Sequence, residues 1–103
     1  MKKGILLHKA DDDVGVTTMD LKAGEVVQAL TLEGEPVAEV TLVDDIPLSH
    51  KVAMRDMDAQ KHVIEYGEAI GYASMAIPSG SHVHTHNLKS LRWSGKSQII
   101  DHE

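Results

Sequence analysis

The stretch that decides the fold is DIPLSHKV, residues 45–52, because variants of it occur at three other places in the chain. The four copies occupy residues 20–27, 45–52, 56–63 and 76–83. Each has an apolar second residue, a turn-forming middle and a valine at the eighth position. The pattern predicts a single helical turn whose apolar residue enters the core, then a chain reversal and a strand that begins near the valine.

Short runs of β-branched and apolar residues between turn-forming residues predict eight strands. They cover Ile5 to His8, Val14 to Thr18, Val26 to Leu32, Val37 to Val43, Lys51 to Met54, Val63 to Tyr66, Ile70 to Ala73 and His82 to His86. EGEP, residues 33–36, predicts a hairpin turn between the third and fourth strands. Because no window of eleven residues has sustained helical periodicity, we expect a mostly β, compact, irregular barrel with single-turn helices.

This domain is expected to span residues 1–88, followed by a C-terminal tail of residues 89–103. The tail is polar around Arg92 to Ser97 and carries the chain's only tryptophan, Trp93. We interpret the tail as a partner-docking segment in which Trp93 either covers the end of the core or anchors the chain on another protein.

Composition limits the classes of function. A chain of 103 residues is one domain, and its formal net charge of −6 disfavours nucleic acid and anionic membranes as partners. Cysteine is absent, so disulfides and thiolate metal ligands are excluded and a metal would need histidine or carboxylate. The apolar run after Lys2 and Lys3 is too short for a signal peptide or a membrane span, which predicts a cytoplasmic protein.

The segment HVHTHN, residues 82–87, contains the main candidate site. In an extended strand, side chains alternate between faces, so His82, His84 and His86 would project from one side roughly 6.6 Å apart. Such a row suits a metal ion or an anionic substrate. A polar position at a strand entrance is an equally simple interpretation of His82.

Other candidates lie outside this segment. His50 with adjacent Lys51 is either a solvated turn or a place where Lys51 holds a carboxylate. His8 precedes an acidic run, residues 11–13, which is either solvated or able to hold a cation. Asn87 either orients a histidine, binds substrate or caps a strand end.

Five motifs in order resemble the N-terminal SAF-type, or β-clip, domain of the altronate/galactarate dehydratase family. They are His8 with DVGV at residues 13–16, DLKAGE at 20–25, IPLSHKVA at 46–53, IEYGEAIG at 64–71 and HVHTHN at 82–87. The continuation LKSLRW at 88–93 resembles the end of the free-standing form, as in the small subunit of sulfolactate sulfo-lyase. Ser49 and Ala69 depart from the family pattern, which usually has glycine and often proline at these positions.

The resemblance implies a β-clip fold and the small subunit of a metal-dependent hydro-lyase or sulfo-lyase. The substrate class would be a hydroxy or sugar acid such as altronate, galactarate or sulfolactate. A larger lyase subunit would supply the rest of the active site, and this chain is expected to be inactive without it. The divalent metal, iron or manganese, would be held by this chain or mainly by its partner.

Within that implication, we assign catalytic roles to His50, His84 and His86, and metal ligation to His82, His84 and His86. Substrate contacts are assigned to His8, Ser49, Lys51 and Asn87. Two alternatives stay open: a stand-alone module that binds a sugar acid or a metal without catalysis, and a purely structural assembly domain. Homo-oligomerisation is open as well.

Overall fold

The computed structural model describes residues 2–91 and, for the backbone alone, residues 93–94 and 98–99. Strands in this part of the chain are β1 (Lys2–Leu7), β2 (Val14–Thr17), β3 (Val26–Thr31), β4 (Pro36–Thr41), β5 (Lys51–Ala53), β6 (His62–Glu65), β7 (Glu68–Ala73), β8 (His82–Val83), β9 (Leu88–Lys89), β10 (Trp93–Ser94) and β11 (Gln98–Ile99).

Six strands form one sheet in the order β4-β3-β1-β2-β5-β8, and β6-β7-β9 form a second sheet. β1 and β3 are parallel, whereas the other neighbours in these two sheets are antiparallel. β3 and β4 are joined through the predicted turn at residues 33–36, and β10 pairs with β11. The mostly β class is confirmed. Among the residues described, no helix is long and apolar enough to cross a membrane.

The apolar residues of the repeat enter the core as predicted. Leu21, Ile46, Met57 and Ile77, the second residues of the four copies, are each at most 2% exposed. The copies associate in pairs, because Leu21 forms an antiparallel bridge with Ile46, and Met57 with Ile77. The first pair lies in one hydrophobic cluster and the second pair in another, together with the valines at their eighth positions. Burial of these side chains therefore helps to stabilise both halves of the core.

The predicted single-turn helices are absent from residues 2–91, where each copy forms a β-turn instead. In all four turns, the sixth residue of the repeat donates its N–H to the carbonyl oxygen of the third. The fifth residue has a positive φ in every copy: 92° at Gly24, 69° at Ser49, 75° at Gln60 and 87° at Gly80. A left-handed residue at this position cannot continue a right-handed helical turn, which explains the difference.

The acidic run after β1 is partly structural. Asp12 and Asp13 are 0% and 4% exposed, so the interpretation of a solvated loop is wrong for both. Asp12 accepts hydrogen bonds from the N–H groups of Lys9 and Tyr66. Asp13 accepts hydrogen bonds from Arg55 at 2.8 Å and Lys61 at 2.7 Å. These bonds attach the loop to the segment that follows β5 and to both ends of β6.

Asp13 also accepts a hydrogen bond from the backbone N–H of Ile64. Burial by itself would raise the pKa of Asp13, but the hydrogen bonds from Lys61 and Ile64 outweigh that effect. The positive charges of Lys61 and Arg55 act in the same direction, so the pKa lies below its ordinary value. The folded state therefore favours the ionised carboxylate.

Asp13→Asn removes the carboxylate that pairs with Arg55 and Lys61, and we expect it to lower the free energy of unfolding by about 2–3 kcal/mol at neutral pH. The loss is limited to this range because both cations are partly exposed to solvent. The pKa of Asp13 is depressed in the folded state, so its contribution is present above the ordinary carboxyl range and is lost as the pH falls through the folded-state pKa. Urea unfolding at neutral and acidic pH measures both effects. Asp11→Asn, at an exposed neighbour, is the control; equal losses in the two variants would contradict the assignment.

The described side chains include only the start of the predicted tail. Lys89, the first residue of the predicted tail, lies in β9 and pairs with Tyr72. The interpretation of Trp93 as a docking anchor concerns a side chain outside the described residues. The division at residue 88 and the docking role of the tail stay predictions.

Candidate functional site

Three histidines from two distant segments meet at one edge of the large sheet. His50 follows the turn of the second repeat, and β5 pairs antiparallel with β8 so that Val52 lies opposite His82. His50 Nδ1 lies 2.9 Å from His82 Nε2, and the ring centroids of His50 and His84 are 4.7 Å apart. One nitrogen from each of the three rings lies within 4.8 Å of the others. We call His50, His82 and His84 the histidine cluster.

The extended strand predicted for residues 82–86 is wrong, because β8 ends at Val83 and the chain then turns. Asn87 holds this turn in place: its Oδ1 accepts the N–H of His84, and its Nδ2 donates to the carbonyl oxygen of His82, both at 2.9 Å. The Asn87 side chain is buried. These bonds support the interpretation that Asn87 orients the histidines; direct substrate contact by Asn87 stays a prediction.

The turn changes the geometry of the predicted metal-ligating row. His82 and His84 remain adjacent, with ring planes 9° apart and centroids 5.5 Å apart. His86 is exposed, and its ring centroid lies 5.6 Å from that of His82. The group able to share one ion within the described residues is therefore His50, His82 and His84, with His50 in the place predicted for His86.

The environment of His82 favours its neutral form. Burial lowers the pKa of His82, and positive charge on His50 and His84 lowers it further. His86 acts in the same direction, whereas the carboxylate of Asp44, which accepts the N–H of His82, opposes the shift. A neutral imidazole is the form that ligates metals and accepts protons.

An open cavity of about 380 Å³ lies beside the histidine cluster and is lined by Ser49, His50, Lys51 and His84. Ile70, Val83 and Leu88 form its apolar wall. Ser49 has a left-handed backbone conformation, and its N–H donates to the carbonyl oxygen of Thr17. The first cavity thus combines imidazoles and one ammonium group, and no acid is among its described lining residues.

A second cavity of about 400 Å³ shares Lys51 and Ile70 with the first. It is lined also by His8, which the structure places away from the histidine cluster, and by Glu65, Tyr66 and Glu68. The Glu65 carboxylate lies 3.4 Å from both His8 Nδ1 and Lys51 Nζ. The Glu65 side chain is 10% exposed, so this acid is mostly buried between two basic groups.

Sequence reasoning did not select Glu65 as a site residue. A signal was available, because strand alternation puts Glu65 on the same face as the fully buried Val63. An acid at an inward position needs a partner, and the partners here are Lys51 and His8.

The family model described as the altronate/galactarate dehydratase SAF domain matches residues 2–91. This chain belongs to that family. The match covers the two sheets and every residue of the histidine cluster and of both cavities.

Two kinds of relative resemble this SAF domain. It is 35% identical over 94 residues to the (2R)-sulfolactate sulfo-lyase subunit alpha of Chromohalobacter salexigens, covering 90% of this chain and 100% of that protein. It is 33% identical over 90 residues to the altronate dehydratase of Bacillus subtilis, covering 87% of this chain but 17% of that enzyme. Over 40 residues it is 55% identical to the galactarate dehydratase (L-threo-forming) of Escherichia coli, covering 39% of this chain and 8% of that enzyme. The chain spans the full length of a separate lyase subunit but only a small part of the dehydratases.

Proposed function

We propose that this SAF domain is the small subunit of a metal-dependent lyase that acts on a hydroxy or sugar acid. The observation that supports this proposal most directly is the histidine cluster beside Lys51 at an open cavity. The chain also matches the whole length of a sulfo-lyase subunit alpha. The name of that relative implies a second subunit, and we infer that a larger chain closes this cavity and adds the remaining catalytic groups.

β-Elimination from a hydroxy acid removes a proton from the carbon beside the carboxylate and expels water or sulfite from the next carbon. In the proposed site, Lys51 binds the substrate carboxylate, and whichever of His50 and His84 does not ligate the metal accepts the proton in its neutral form. The exposed ring of His84 is the better placed of the two to reach a substrate, because His50 is half-buried. A divalent metal, when bound, would supply a Lewis acid for the leaving group.

The residues present fit such a metal. His50, His82 and His84 offer three imidazole nitrogens close together, and the lowered pKa of His82 keeps a ligand-competent form. These donors suit iron or manganese, with further ligands from the partner chain or substrate. The ring of His82 lies near those of His50, His84 and His86, so its role here is ligation.

We expect the isolated chain to bind Mn²⁺ through the histidine cluster, and His50→Ala or His82→Ala to weaken that binding at least about tenfold. Titration of the electron paramagnetic resonance signal of free Mn²⁺ measures the affinity without any enzymatic assay. His62→Ala, at an exposed histidine on β6 outside the cluster, is the matched control. His86→Ala separates the two ligand sets: a loss of affinity in His86→Ala with none in His50→Ala would favour the row of residues 82, 84 and 86.

The subunit proposal is tested by isolating what co-purifies with the tagged chain from its native host. The complex is assayed with iron or manganese on altronate, galactarate and sulfolactate. We expect a larger chain at fixed stoichiometry and lyase activity that neither chain has alone. A chain that remains monomeric, and a partner that is fully active without it, would contradict the proposal.

A binding module without catalysis is the second candidate. It is favoured by one observation: all three members of the histidine cluster come from this chain, so ligation does not require another protein. Tight metal or sugar-acid binding by a chain that recovers no partner would support this candidate over the lyase subunit.

A further inference from the structure

The two cavities differ in charge although they share Lys51. Lys51 and two imidazoles line the first cavity. Glu65 and Glu68 line the second cavity and are not among the described residues that line the first. An anionic group is therefore stabilised in the first cavity and repelled in the second.

The pairing of Glu65 explains why the basic groups of the second cavity do not attract an anion. Its two oxygens lie 3.4 Å from His8 and from Lys51, so the basic groups of the second cavity already face a carboxylate. Glu68 is exposed on the same rim and adds a second negative charge. Among the described residues that line the second cavity, the two glutamates outnumber the one lysine.

Carboxylates that repel an anion are good acceptors for hydroxyl groups. Glu65 and Glu68 can each accept hydrogen bonds from substrate hydroxyls, and the exposed Tyr66 adds a phenol at the same place. Because Lys51 and Ile70 line both cavities, a ligand whose carboxylate is bound by Lys51 in the first cavity extends into the second.

We propose that the second cavity is a subsite for the uncharged, hydroxylated end of the substrate, and that Glu65 and Glu68 discriminate against acids with a second anionic group. This inference rests on the proposed function and narrows its substrate class to hydroxy acids with a single carboxylate and a polyhydroxy chain. Dicarboxylates of the same length would place a second anion beside Glu65 or Glu68, and sulfolactate, whose sulfonate is the leaving group, has no hydroxylated chain that could occupy this subsite.

Kinetics of the complex of this chain with its larger partner test the inference. Altronate, with one carboxylate, should have a KM at least about tenfold below that of galactarate, which has two, and below that of sulfolactate. The double variant Glu65→Gln, Glu68→Gln should reduce the gap between altronate and galactarate to less than about threefold. Glu39→Gln, at an exposed acid on β4, should leave the gap unchanged.

The outcomes separate the two proposals. Equal KM values, a preference for galactarate or sulfolactate, or a gap that persists in the double variant would overturn the subsite while leaving the lyase function intact. A complex inactive on all three acids would contradict the proposed function instead. In that case, an NMR titration of the full chain tests the subsite. Altronate should shift the amide signals of Tyr66 and Gly67 more than galactarate does at the same concentration. Equal or absent shifts would overturn the subsite proposal.

Discussion

Gly80→Ala should lower the free energy of unfolding by about 3–5 kcal/mol, which is a large fraction of the total for a domain of this size. Gly80 is the fifth residue of the fourth repeat, with a φ of 87°. A Cβ atom at this position would lie 2.1 Å from the carbonyl oxygen of Thr41 and 3.2 Å from the Cα of Leu42. Because both contacts are with backbone, the clash can be relieved only by moving the chain after β4 or the fourth turn.

Two hydrogen bonds oppose that movement. The N–H of Gly80 donates to Ala53 at 2.8 Å, and the N–H of Val43 donates to the carbonyl oxygen of Gly80 at 3.0 Å. The fourth turn is thus attached both to the end of β5 and to the segment that follows β4. Displacing Gly80 would also disturb His82 two residues later.

Gly24→Ala is a closely matched control because Gly24 occupies the same position of the first repeat. Its φ is 92°, but a Cβ atom there would have no atom within 4 Å. We expect a loss of about 1 kcal/mol from the left-handed backbone alone. Ser49 and Gln60 show that side chains are accepted at this conformation in the other two copies.

Chemical denaturation of the two variants and the wild-type chain measures the difference, and far-ultraviolet circular dichroism establishes whether Gly80→Ala folds at all. Gly80→Ser and Gly24→Ser provide a second pair if alanine at position 80 prevents folding during expression. Equal losses at positions 24 and 80 would show that backbone conformation, rather than the approach of Thr41, determines the cost.

The repeat shows how far this fold can be predicted from sequence. Its apolar second position predicted the burial of Leu21 and Met57, because an isolated apolar residue between polar ones has few alternatives to the core. The same pattern did not predict the turn type. Glycine at positions 24 and 80 suggests a left-handed residue, but Ser49 and Gln60 adopt that conformation only because the surrounding hydrogen bonds enforce it.

The candidate site was predictable in its residue types and less so in its geometry. HVHTHN has the alternation of a strand, but the buried amide of Asn87 bonds to the backbone of His82 and His84 and closes a turn instead. The meeting of His50 with His82 depends on the pairing of β5 with β8, a contact between residues about thirty positions apart. No local pattern contains that information.

The role of Glu65 depends on the same kind of long-range contact. Its basic partners come from the end of β1 and the start of β5, which the sequence separates by more than forty residues. An inward position on a strand could have identified Glu65 as a buried acid, but only the fold shows that it lies between His8 and Lys51.

His84→Ala should lower the kcat of the complex of this chain with its larger partner by about 10²- to 10⁴-fold. This is the usual contribution of a group that transfers a proton. His84 lines the first cavity, and its ring is exposed. Its removal leaves the hydrophobic clusters intact, so the melting temperature should change little. Loss of turnover without loss of stability would therefore assign His84 to the chemistry of the site.

The measurement compares kcat, metal content and melting temperature of complexes that contain wild-type chain, His84→Ala or His62→Ala. His62 is exposed on β6 outside both cavities, so its variant should keep full activity. If His84→Ala retains its metal but loses turnover, His84 acts mainly as the proton acceptor; if it also loses metal, ligation is its main role. Full activity of His84→Ala would exclude both roles for His84 and leave the chemistry to His50 or to the partner chain, because His50 also lines the described part of the first cavity.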